Sequence, residues 1–161
     1  MQSIDPADTT ARPAGGSGRF PVTTDIEVRF RDCDPMNHVN NAVYATYLEV
    51  GRQAYWSRFI NDGDYQKVPF ILARLAIDYR SPARTGETVR VALRVAWVSD
   101  HSFGIEYELR EARGGRLLAE ARSVQVAYDY RAGQVVALSD ELRSALITVE
   151  GRPLPARPDT W

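Results

Sequence analysis

The segment RDCDPMNHVNNAVY, Arg31 to Tyr44, gathers two aspartates, one of the chain's two histidines, its single cysteine and three asparagines. Apolar, strand-like sequence precedes it and an apolar, helix-like run follows. Carboxylate, imidazole and carboxamide groups at this density are the materials of general acid–base or nucleophilic chemistry. The place adds to the reading. A helix N-terminus carries unpaired N–H groups and about half a positive charge, which suits it to a fixed carboxylate or to an oxygen that becomes negative during reaction. Asp34 precedes the helix and serves there either as a reacting carboxylate or only as a turn or cap. Asn41 is suited to cap the helix, and the backbone amides around Asn41 and Ala42 are candidate oxyanion donors.

Two other chemistries can be read from the same residues. Asp32, Asp34 and His38 could hold a metal, but a D-x-D with one nearby histidine is a weak ligand pattern, and no metal is expected. Cys33 with His38 could form a nucleophile pair, although a lone cysteine is more often a small buried hydrophobe. Outside the segment, Glu49 lies two turns into the helix on its polar side and reads as solvated or paired with Arg52 or Gln53. His101 and Ser102 sit at a strand turn, where surface or interface is the default.

The elements that must position these groups follow from periodicity. Asp25 to Arg31 alternates, with Ile26, Val28 and Phe30 on one face. A helix is expected from Asn41 to about Phe59, with Tyr44, Leu48, Gly51, Tyr55 and Phe59 on one side. Gly51 within it points to a close helix-to-sheet approach or to a tolerated surface glycine. Strand patterns follow at Phe70–Arg80 (Ile71, Ala73, Leu75, Ile77 and Tyr79 on one side), Thr88–Ser99 (Val89, Val91, Leu93, Val95 and Trp97), Ser102–Arg110 and Arg116–Tyr130. The last is long for a strand and suggests a bulge. The turns SPARTGE, SDH and ARGG are short, which implies antiparallel neighbours in a meander. Ser139 is a good N-cap for a second, short helix, with Asp140 and Glu141 in its first turn.

Composition sets the outer limits. At 161 residues, 44% hydrophobic and 25% charged, the chain is most simply one globular domain. A net charge of −1 offers no basic field for nucleic acid or membrane. One cysteine excludes an internal disulfide framework and suits a reducing cytosol. No apolar run has the roughly 20 residues a membrane helix needs, and no signal peptide is evident. The expected organisation is a disordered tail over residues 1–20, rich in Gly, Ser, Pro and Thr, a domain over 21–150, and a proline-rich tail over 151–161. The class is α+β, a curved antiparallel sheet of about five strands around one long central helix.

RDCDPMNHVNNAVYATYLEVGR, with DYRSPARTGE and AEARSVQVAYDY, resembles the hotdog-fold acyl-CoA thioesterases of the 4-hydroxybenzoyl-CoA thioesterase-like family, over roughly Asp25 to Leu142. The resemblance implies a hotdog fold and hydrolysis of an acyl-CoA thioester to free acid and CoA. It makes Asp34, the second aspartate of D-x-D, the catalytic carboxylate, as general base for water or as nucleophile through a mixed anhydride. His38 becomes a helper or carbonyl donor, beside its alternative as a hydrogen-bonded structural histidine. Asn40 holds the carboxylate or the water, or forms a turn. Tyr44 belongs to an aromatic helix face that is mostly core and in part lines an acyl pocket. Arg80 and Arg84 meet the phosphates of CoA, or are ordinary solvated charge. No cofactor is expected, coenzyme A being part of the substrate. A homodimer or homotetramer is expected, with the active site at the subunit interface. Two other readings stay open: a non-catalytic acyl-CoA-binding module, and a thioesterase acting on acyl groups held by a carrier protein.

Overall fold

Strands form where apolar and polar residues alternate: β1 (Val22–Glu27), β2 (Phe70–Tyr79), β3 (Thr88–Val98), β4 (Ser102–Glu111), β5 (Leu117–Asp129) and the two-residue β6 (Gln134–Val135). Helix α1 spans Asn41–Trp56 and α2 spans Asp140–Glu150, in a computed structural model that describes residues 19–60 and 68–161. The six strands form one antiparallel sheet in the order β1-β3-β4-β5-β2, with β6 on β5. The sheet packs on α1 as the hotdog architecture expected from the sequence. Tyr44, Tyr47, Leu48, Gly51 and Tyr55 recur at helical spacing and are all buried. They meet Val89, Val91, Leu93, Ile105 and Leu109, none of which is exposed. Each such large side chain contributes about 1.5–3 kcal/mol by leaving water.

The topology departs from a simple meander. SPARTGE does not join neighbours: β2 pairs with β5, and β3 pairs with β1 and β4. The connection instead crosses the end of the sheet, held there by Val28 N–H to Glu87 O (2.9 Å) and Val39 N–H to Ala83 O (2.9 Å). Gly86, at φ 84°, makes the turn that this crossing requires.

Bulges explain where the alternation misleads. A register shift between Val95 and Trp97 puts Trp97 opposite Gly104, out of the core cluster. There it stacks on Trp161 of the C-terminal segment, with ring centroids 5.5 Å apart. A shift between Leu72 and Arg74 likewise sets Phe70 and Leu72, rather than Ile71 and Ala73, in phase with Leu75 and Ile77. β5 carries its expected irregularity at Leu118, between the partners of Leu109 and Arg110. Helix α1 stops at Trp56, short of Phe59, as the chain tightens into a turn closed by Ile60 N–H to Trp56 O (2.9 Å). Ser139 caps α2, accepting from Leu142 N–H at 3.2 Å.

The N-terminal tail reading lies outside the described residues up to residue 18. Phe20, at its end, is only 4% exposed. Residues 151–161 are irregular but docked, with Pro155 O accepting from Val98 N–H at 3.0 Å. No described helix is long and apolar enough to cross a membrane.

Two predictions follow from the packing of α1. A Cβ on Gly51 would lie 2.8 Å from Val91 Cγ1. Gly51→Ala therefore gains about 1 kcal/mol of helix propensity and loses about 1–3 kcal/mol to overpacking. The urea midpoint should fall with the m-value unchanged; a raised midpoint would refute the close approach. The second concerns Glu150, whose side chain is 1% exposed. Burial raises its pKa, and the hydrogen bonds from Tyr55 Oη and Val95 N–H and the charge of Arg152 offset this only in part. The folded chain thus holds this proton more tightly than the unfolded chain, and stability is lost as pH rises from the ordinary 4.5 through the raised value. Glu150→Gln should melt progressively higher than wild type across that rise, and a pH-independent difference in Tm would contradict the account.

Candidate active site

The site begins at the end of β1, where the chain makes a 3-10 turn over Phe30–Asp32. Asp32 is 4% exposed. Its carboxylate accepts from Arg29 N–H (3.0 Å), Arg29 Nε (3.1 Å) and Nη2 (2.9 Å), and from Tyr47 Oη on α1 (2.9 Å). Burial alone would raise its pKa, but these bonds outweigh it and the value is lowered. The same contact, after burial, drives the Tyr47 hydroxyl far above its ordinary range. Asp32 is therefore a clamp between turn and helix rather than a reacting group.

Asp34 is held differently. A bridge between Cys33 and Val39 closes a tight loop, in which Asp34 N–H donates to His38 O (2.8 Å) and Asn37 N–H to Asp34 O (3.0 Å). Asn37 takes φ 60° to make the turn. Asp34 Oδ1 accepts from Met36 N–H (2.9 Å) and His38 N–H (3.1 Å). Oδ2 has no partner among the described residues. The amides that fix this carboxylate thus belong to its own loop, not to the helix as the sequence suggests. Thr85 Oγ1 ties the loop to the β2–β3 crossing, donating to Asn37 Oδ1 at 2.8 Å.

The helix cap is Asn40, not Asn41: Asn40 Oδ1 accepts from Ala42 N–H at 2.9 Å, and Asn41 is the first helical residue. The extended backbone of Asn40, whose N–H bonds Asp32 O at 2.9 Å, supplies the conformation a cap needs. The Ala42 amide is consequently engaged. The Asn41 N–H has no partner among the described residues and is the amide left to meet an oxygen. Tyr79 Oη donates to Asn41 O at 2.9 Å, and its ring stands edge-on to Tyr44 at 5.1 Å.

A cavity of about 530 Å³ opens here. Asp34, His38, Asn40, Asn41, Tyr44 and Arg80 all line it, so most of the residues singled out in the sequence are brought together. Ala42 and Arg84 do not line it. Arg80 reaches it while paired to Glu120 at 3.0 Å, and Arg84 is exposed. His38 is half-buried, and its ring makes no hydrogen bond among the described residues. Tyr44 is buried, and burial raises its pKa, offset in part by the Ala83 amide. Met36, Val39, Tyr79, Ser81 and Pro82 complete the lining. Of these, Tyr79, Ser81 and Pro82 stand in the sequence only as parts of a strand and a turn motif; no spacing rule connects them with a helix so far upstream. Glu49 is exposed and lines a separate cavity with Gln125.

The chain matches the model of the thioesterase-like superfamily over residues 28–146. It is 27% identical, over 78% of its length and 96% of the relative's, to the long-chain acyl-CoA thioesterase FadM of Escherichia coli (strain K12). Among solved structures it is similar to a thioesterase from Thermus thermophilus complexed with coenzyme A and Zn. The TM-score is 0.77 at 34% identity, covering 84% of this chain and 98% of that one. A predicted thioesterase from Bacillus stearothermophilus matches with TM-score 0.74 at 25% identity over 82% and 98% of the two chains. Among the described residues no three His, Cys, Asp or Glu side chains converge.

Asn40→Ala removes the cap and should destabilise the protein by about 1 kcal/mol. Asn40→Asp should retain most of that, since a carboxylate also accepts from Ala42 N–H. Equal denaturation midpoints for Asn40→Ala and wild type would remove Asn40 as the cap.

Proposed function

The chain belongs to the thioesterase-like superfamily and is a thioester hydrolase, and from that premise we propose that it cleaves acyl-CoA to a carboxylic acid and CoA with Asp34 as the reacting carboxylate. The observation that carries this is the asymmetry of that carboxylate: Oδ1 is fixed by two backbone amides, Oδ2 has no partner among the described residues, and Asp34 and Asn41 line the same cavity. The thioester carbonyl oxygen is placed against Asn41 N–H, which strengthens its bond as the oxygen gains charge. Oδ2 then acts in one of two ways. It removes a proton from a water that attacks the carbonyl carbon, or it attacks that carbon itself, expels the CoA thiolate and leaves a mixed anhydride for water to open. The His38 ring, which makes no hydrogen bond among the described residues, orients the carbonyl or the water. Arg80, which lines the cavity, and the exposed Arg84 are the cations for the phosphates of CoA. The chemistry needs no cofactor.

The assembly reading follows from β2. This ten-residue strand is an edge, paired only to β5, with Leu72 and Tyr79 each 44% exposed. It contains no proline or lysine to discourage pairing. Two copies joined antiparallel along β2 form a continuous sheet and place the cavity at the junction, since Tyr79 belongs to both. Such dimers could pair further into tetramers.

The test is CoA release from a panel of acyl-CoA thioesters by wild type and Asp34→Asn. Loss of about a hundredfold or more in kcat, with substrate binding kept, is expected. Equal turnover in both proteins removes Asp34. Binding without release on any substrate leaves a ligand-binding module, and release only from an acyl-carrier protein bearing the same acyl group identifies the other carrier. Sedimentation as a monomer at micromolar concentration would contradict the β2 junction.

A further inference from the structure

The Asn41 N–H, which has no partner among the described residues, sits in a helical turn whose flanking backbone groups are all held. Asn40 N–H donates to Asp32 O at 2.9 Å, and Asn40 O accepts from Val43 N–H at 2.9 Å. Ala42 N–H is taken by Asn40 Oδ1 at 2.9 Å. Asn41 O accepts from Tyr79 Oη at 2.9 Å. The first three of these bonds lie within residues 32–43, and only the fourth comes from a distant element. A helix does not require it, because the carbonyl of a first-turn residue accepts the amide four residues on. The tyrosine that supplies it is itself well fixed. Tyr79 ends β2 opposite Ala119, the next amide, Arg80 N–H, donates to Leu118 O at 2.8 Å, and the Tyr79 ring stands edge-on to the buried Tyr44 at 5.1 Å.

We propose that Tyr79 is a positioning residue for thioester hydrolysis: its hydroxyl, bonded to Asn41 O, sets the direction in which Asn41 N–H meets the carbonyl oxygen. This deepens the thioesterase reading and rests on it. The loop that carries Asp34 is tied to the same length of chain, through Ala83 O on Val39 N–H and Thr85 Oγ1 on Asn37 Oδ1. Residues 79–85 therefore serve as one frame for both halves of the site, the reacting carboxylate and the oxyanion donor. Such a frame matters because a donor stabilises a developing oxyanion only if it is aimed before the reaction begins, and small misplacements are costly in rate. Tyr79 touches no reacting atom in this arrangement, since its proton is committed to Asn41 O.

The test is Tyr79→Phe, which keeps the ring against Tyr44 and deletes only the hydroxyl. Outright loss of an oxyanion donor costs about a hundredfold or more in kcat; a donor that is present but loosened should cost about tenfold, with KM within about twofold and Tm close to wild type. Tyr130→Phe is the matched control. Tyr130 Oη donates to Phe70 O at 3.1 Å, a bond of the same kind at the other end of β2, and its loss should leave kcat unchanged. Two CoA thioethers separate positioning from contact. Trifluoroacetonyl-CoA, whose ketone becomes tetrahedral on hydration or attack, should bind Tyr79→Phe more weakly by about the factor lost in kcat. Acetonyl-CoA, which stays a ketone, should bind both proteins alike. Unchanged kcat in Tyr79→Phe overturns the proposal, as does equal loss in Tyr130→Phe. A raised KM with parallel loss of both thioethers makes Tyr79 a substrate contact and also overturns it. Failure of the thioesterase reading would appear separately, as absence of Asp34-dependent release. The Asn41 amide resonance of the free protein then decides on its own: broadening in Tyr79→Phe but not in Tyr130→Phe supports the positioning, and an unchanged resonance refutes it.

Discussion

The buried carboxylate of Asp32 is the contact on which the site depends. It draws together the turn after β1, through Arg29, and the second turn of α1, through Tyr47. Its own backbone oxygen receives the Asn40 N–H that starts the helix. A carboxylate so buried is tolerated because donors surround it. Removing Tyr47 or Arg29 as a donor would leave a charge without compensation, which costs far more than the bond contributes. The position of Asp34 follows: two residues on, across the Cys33–Val39 bridge, it lies in a loop whose two ends are fixed by Asp32 and by the helix start. The two aspartates of D-x-D thus have opposite surroundings and separate tasks, one saturated with donors, the other with an oxygen to spare.

The β2–β3 crossing is the second constraint. A hairpin between these strands would have left the loop around Asp34 without a floor. By passing across the sheet end, the chain lays Ala83 beneath Val39, Thr85 beside Asn37 and Tyr79 over the first helical carbonyl. The crossing is itself held by Arg116, which bonds Pro82 O at 2.5 Å and Glu87 Oε1 at 2.7 Å. Residues far apart in the chain therefore share one wall of the cavity because one connection declined the short route.

How much of this could be read from the chain depends on the kind of signal. Helix α1, α2 with its Ser139 cap, and the strands were legible because burial imposes a period. The gathering of Asp34, His38, Asn40 and Asn41 was legible because they are neighbours in sequence. The order of strands was not, since the length of SPARTGE fits either a hairpin or a crossing. Nor were the inward faces of Phe70 and Leu72 or the outward turn of Trp97: one extra residue inverts the alternation, and nothing in the local sequence announces it. The choice of Asn40 over Asn41 as the cap turns on the bond that Asn40 N–H donates to Asp32 O, a contact that periodicity does not encode.

The unequal treatment of polar groups in the interior gives the last step. Tyr55 and Glu150 satisfy each other, with a bond of 2.7 Å. Asp32 is saturated. Against that background the Gln125 carboxamide oxygen, like the indole N–H groups of Trp97 and Trp161, has no partner among the described residues. Among the described residues the interior thus satisfies its charged groups and leaves only neutral ones unpaired, as the larger cost of an uncompensated buried charge requires.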